Sequence, residues 1–148
     1  MEFASATDLL GTTSGDVTAP AGAVHVSVVD VGSLGDEGLS LRLREIGRAE
    51  SRLAALKAHV LAEVGRRHSN AVAQRVARDE LRSSKSEAKR DVESAVQLAQ
   101  LPATSEALES GEIPQGHARL IARASSESSI DEALLVEAAN EQPLDEFA

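Results

Sequence analysis

The sequence predicts an all-α fold, and three observations carry that prediction. Hydrophobic residues make up 42% of the 148 positions but aromatic ones only 1%. A core must therefore come from Leu, Ile, Val and Ala, small side chains that suit closely approaching helices better than a thick sandwich. Beyond residue 38, apolar positions recur three and four apart, the spacing of a helical face. Finally, residues 84–124 carry helix punctuation at short intervals. Ser84 stands three before Glu87, a capping-box spacing; Pro102 opens a segment that Gly111 closes, and Pro114 opens the next.

The expected architecture is one long N-terminal helix followed by about five shorter ones in a bundle, residues 39–148, behind a flexible leader, residues 1–38. The leader is rich in Thr, Ser, Gly and Asp, which favours disorder. Its Val24, Val26 and Val28 alternate like a strand that has no obvious partner. Leu39–Arg67 is the strongest element. Leu43, Ile46, Ala49, Leu53, Leu56, Val60 and Val64 form its apolar stripe, with Arg42, Arg48, Arg52, Glu45 and Glu63 elsewhere on the wheel. A helix of that length, roughly 40 Å, spans several partners or pairs with a second chain. Gly65, Arg66–Arg67 and the His68-Ser69-Asn70 run mark its end.

Asn70–Arg82 follows, capped by Ser69, with Val72, Ala73 and Val76 inward. Ser86–Ala99 places Ala88, Val92, Ala95, Val96 and Ala99 on one face. Pro102–Ser110 and Pro114–Ala124 are short helices joined by Gly111-Glu112-Ile113, and Ile130–Asn140 is expected to be capped by Ser129 with Glu132 completing the box. Pro143 begins a further segment.

Composition narrows the function classes. With no cysteine there is no disulfide scaffold and no thiolate metal site. No apolar run approaches a membrane span, and the start lacks a basic n-region and a clean apolar h-region, so neither membrane partners nor secretion are expected and the cytoplasm is the expected location. The net charge of −9 is uneven: −6 over residues 1–38, +5 over 39–99 and −8 over 100–148. Overall acidity opposes indiscriminate nucleic-acid binding, while the basic middle leaves a local DNA contact open.

The residues that carry a family likeness are LAALKAHVLAEVGRR over 53–67 and, above all, LPATSEALESGEIPQGHARLIARA over 101–124. Leu101-Pro102-Ala103-Thr104, Gly111-Glu112-Ile113 and His117-Ala118-Arg119 reproduce the pattern, and SKSEAKRDVESAVQLAQ before them matches its preceding helix, with Lys89 where Arg is usual. The chain thereby resembles the actinobacterial 13E12-repeat family, also called domain of unknown function 222. The resemblance covers roughly residues 40–140. It implies a helical domain that commonly precedes an HNH nuclease domain, and so a setting in DNA cleavage. An HNH centre needs closely spaced histidines beside a metal ligand. Here His25, His59, His68 and His117 are remote from one another, so the nuclease activity is not carried over. The expectation is a non-catalytic module with no catalytic, cofactor-binding or metal-ligating residues. Within the motif, Pro102, Gly111, His117 and Arg119 read as structural.

The candidate contact residues are cations. Arg75, Arg78 and Arg82 share a helical face, and Lys85, Lys89 and Arg90 follow across a tight turn. Two basic helices joined by a short Ser-containing turn resemble a helix-turn-helix, with phosphate contact as the functional reading. Against it, Asp79, Glu80, Glu87, Asp91 and Glu93 are interleaved, and these charges equally suit a solvated Ala-rich helix pair. His59 and Glu63, four apart, read as an ordinary surface pair rather than a metal site. The alternative role is self-association, or docking to an HNH nuclease partner, through the over-long first helix. A further alternative is that the chain is a truncated remnant of an HNH nuclease.

Overall fold

A computed structural model describes residues 30–148, and within them every regular element is helical. The Val24–Val28 alternation, His25 and the leader as far as residue 29 lie outside the described residues. Asp30 caps a single 3-10 turn at Val31–Ser33, its carboxylate accepting from the Gly32 amide at 3.1 Å. Helix α1 then runs Asp36–Arg67, starting three residues before the expected Leu39. Asp36 and Glu37 in the first turn explain the earlier start, since negative charge there complements the helix dipole.

The shorter helices are α2 (Asn70–Leu81), α3 (Lys85–Leu98), α4 (Pro102–Ser110), α5 (Gln115–Glu127), α6 (Glu132–Glu141) and the one-turn α7 (Leu144–Phe147). Six follow the long helix rather than five, because the segment after Pro143 closes a turn of its own. Local chemistry sets most boundaries. Ser69 Oγ accepts from Val72 N at 3.2 Å, and Ser84 and Glu87 make both bonds of the capping box. Pro102 occupies the first turn of α4, and Gly111 ends that helix in the left-handed region at φ 81°. The expected cap of α6 is corrected: Asp131, not Ser129, accepts from Leu134 N, at 3.2 Å. Glu132 is engaged elsewhere.

Helix α1 lies against α2, α3 and α4, and α6 and α7 close the far side over α5. The core is aliphatic, with Val92, Leu108, Ile113 and Ile121 fully buried among many alanines. One expectation is overturned here. Of the Leu39–Arg67 stripe, Leu43, Ile46, Leu53, Leu56 and Val60 are exposed, Ala49 is buried and Val64 packs partly against the core, while the other buried residues of α1 are Ser51, Ala54, Ala55, Ala58 and Leu61. Alanines let the backbones of α3 and α4 approach closely, so the bundle uses the small-residue side and leaves the bulky one outward.

At the end of α1, Glu63 accepts from Arg66 at 2.7 Å and Arg67 at 2.6 Å. The Arg66 guanidinium, then that of Arg67, holds the Glu63 carboxyl down at about 2. A lowered carboxylate stabilises the fold above its ordinary value, and that contribution disappears as pH falls through the folded value. Thermal unfolding of the wild type and of Glu63→Gln should therefore differ at pH 5 and converge between pH 4.5 and 2. Because this carboxylate is well exposed, the difference should be small and should shrink in salt. A constant gap across that window would assign the effect to something other than the charge.

Candidate functional site

The six candidate cations occupy one helix pair. Arg75 and Arg78 project from α2, Arg82 is its C-cap at φ 51°, and Lys85, Lys89 and Arg90 belong to the first two turns of α3. The three-residue connection Arg82–Ser84 places Arg78, Arg82, Lys85 and Lys89 at the same end of the pair. All six are exposed. Their pairing differs. Arg78 is bonded to the adjacent Asp79 at 3.0 Å and Lys89 approaches Glu93 at 3.7 Å. Arg75, Arg82, Lys85 and Arg90 form no ion pair among the described residues. Glu87 is committed to the cap, its carboxyl held below its ordinary value chiefly by the Ser84 amide and then the Ser84 hydroxyl.

The motif residues hold the bundle together. His117 is buried on α5, and its Nε2 lies 2.8 Å from the Gln142 carbonyl. A carbonyl only accepts, so Nε2 carries a proton and donates it to Gln142, a bond that pins the α6–α7 junction to α5. Its Nδ1 has no partner, and the ring lies 5.1 Å from Phe147. Arg119 reaches Asp91 on α3 at 3.0 Å, and Lys57 on α1 reaches the other oxygen of the same carboxylate at 2.9 Å. Asp91 thus joins three helices. As a counter-charge four or fewer residues from several cations, it offered no sequence signal of that role, because both partners are 28 and 34 residues away.

The surface pair expected between His59 and Glu63 is corrected as well. His59 Nε2 turns to α4, 3.1 Å from both Ser105 Oγ and Glu109 Oε1, while Glu63 serves the two arginines. Among the described residues no three or more His, Cys, Asp or Glu side chains are grouped to hold a metal ion. A groove of about 760 Å³ between α1 and the α4–α5 turn, lined by charged residues such as Arg44, Arg48 and Glu50 and by apolar ones such as Leu53, Ala54 and Pro114, went unread in the sequence. Its lining comes from segments some sixty residues apart.

Fold and contacts together define a small helical domain whose motif residues His117 and Arg119 bond across helices and whose six candidate cations lie on one helix pair. The chain belongs to the family described as domain of unknown function 222, whose model matches residues 41–145. No curated protein and no solved structure matches it.

Proposed function

We propose that this domain is a non-catalytic accessory module of DNA-cleaving proteins that contacts duplex DNA through the α2–α3 turn. The observation that carries the reading is the set of exposed cations that form no ion pair among the described residues: Arg75, Arg82, Lys85 and Arg90. Free cations displace condensed counter-ions from phosphates, whereas paired ones must first break a bond. The resemblance to the actinobacterial 13E12-repeat family, whose members commonly carry an HNH domain downstream, supplies the setting. The histidines support the non-catalytic part, since His59 and His117 are each engaged in holding helices together. Asp79, Glu80 and Glu87 lie among the cations, which weakens the contact with phosphates.

The test is fluorescence anisotropy on a 20-base-pair duplex over a salt series. With four phosphates neutralised, affinity should fall on the order of 100-fold between 50 and 200 mM salt. Arg82→Glu combined with Lys85→Glu should abolish binding at low salt while leaving the helical circular dichroism unchanged. Undetectable binding at low ionic strength, or binding that ignores salt or this double variant, sinks the DNA contact. Plasmid nicking by the purified chain with magnesium or manganese would sink the non-catalytic part.

A further inference from the structure

The face of α1 opposite its packed side is built as a coiled-coil seam. Leu39, Ile46, Leu53 and Val60 fall seven residues apart, and Leu56 lies between the last two at the matching second position of the heptad. Ile46, Leu53, Leu56 and Val60 expose 38%, 52%, 57% and 52% of their surface, at positions where a monomer gains nothing from bulky aliphatic side chains. Ala54, Ala55 and Ala58 of the packed side lie roughly a third to nearly half a helical turn away, while Ala49, 7% exposed, is a small buried residue within the seam itself.

We infer that this face pairs with α1 of a second copy of the chain in antiparallel orientation. Charge selects both the partner and the direction. The seam is flanked by Glu45, Arg52 and His59 on one side and by Glu50 and Lys57 on the other. A parallel pair would set Glu45 against Glu50 of the second copy and Arg52 against Lys57, like charges at both contacts. The antiparallel register that stacks Leu53 on Leu56 of the second copy, twice about the dyad, brings Glu45, paired within its own helix with Arg42 at 2.6 Å, alongside Arg66 of that copy, paired with Glu63 at 2.7 Å, so that these exposed pairs join into one network. It also places Glu50 on the flank of Lys57 of the opposite chain, whose Nζ is held at 2.9 Å by Asp91 of its own α3. Ile46 then meets Glu63 at each end, which confines the apolar contact to the middle of the helix. A short two-helix seam of this kind gives a weak, concentration-dependent dimer. The inference is independent of the DNA reading, because α1 and the α2–α3 cations are separate surfaces.

Sedimentation equilibrium of the full chain from low to high micromolar concentration should show the mass rising from one chain to two. Leu53→Glu with Leu56→Glu should keep it at one, with a helical circular dichroism signal and thermal unfolding midpoint like those of the monomeric wild type, since both side chains are already exposed. The chain has no cysteine, so direction is readable by oxidation. Ile46→Cys mixed with Glu63→Cys should give a disulfide-linked heterodimer. Ile46→Cys alone should not, its two copies being roughly 25 Å apart along the seam. A strict monomer at every concentration, an association that survives the double glutamate variant, or self-linking of Ile46→Cys would each overturn the proposal.

Discussion

Gly111→Ala is expected to destabilise the domain by about 2–4 kcal/mol, lowering the midpoint of urea unfolding without abolishing cooperativity. Two costs combine. Gly111 holds φ 81°, a left-handed conformation in which an L side chain crowds its own carbonyl at roughly 1–2 kcal/mol. In addition, a Cβ at this position would stand 3.1 Å from the Arg48 carbonyl oxygen and 3.2 Å from its Cα. Those are backbone atoms of α1 and cannot rotate away, so the α4–α5 turn must lift off the long helix. The lift would strain the contact that seats the fully buried Ile113 two residues on. Gly111→Asn separates the two costs, because asparagine tolerates the left-handed region yet carries the same Cβ. If Asn restores most of the stability, the conformational cost dominates. If Asn is as damaging as Ala, close approach to α1 dominates. A variant as stable as the wild type would remove Gly111 from the account of the fold.

The same glycine shows what sequence can and cannot disclose. A stop signal at Gly111, a start at Pro102 and the Ser84–Glu87 box act within four residues, so they are visible as spacing, and the helices they bound lie where spacing placed them. The orientation of α1 was not visible in this way. Its Leu, Ile and Val stripe is more hydrophobic than the face that packs, and pattern alone assigns the more hydrophobic face inward. What decides the matter is the distance between helix axes, which Ala54, Ala55 and Ala58 shorten and which no local pattern records. Contacts across long separations were hidden for the same reason. His117 reads as structural from its motif, but its partner Gln142 lies 25 residues on. The candidate cations were legible as a run along the sequence, and the helix pair brings four of them, Arg78, Arg82, Lys85 and Lys89, to one end. Which of them form ion pairs depended on side-chain geometry.

Glu132→Ala is expected to cost about 3 kcal/mol, the other large effect. Helix α4 begins with Leu101 as N-cap and Pro102 at its first turn, neither of which offers a side-chain acceptor for the orphan amides. The acceptor comes from α6 instead. Glu132 Oε1 takes the Thr104 amide at 2.6 Å and the Thr104 hydroxyl at 2.9 Å. Its negative charge also meets the positive end of the α4 dipole. Thr104 is fully buried, so removing the carboxylate leaves two buried donors without their acceptor. Glu132→Gln keeps an acceptor oxygen and should cost only about 1 kcal/mol, which isolates the contribution of charge. Thr104→Val should be milder than Glu132→Ala, and combining the two should add less than the sum, because both report one contact. Additive losses in that cycle would mean that Glu132 stabilises the domain by some route other than capping α4. Amide exchange gives a second readout: in Glu132→Ala the first turn of α4 should open before the rest of the bundle, whereas uniform exchange across all helices would contradict a cap.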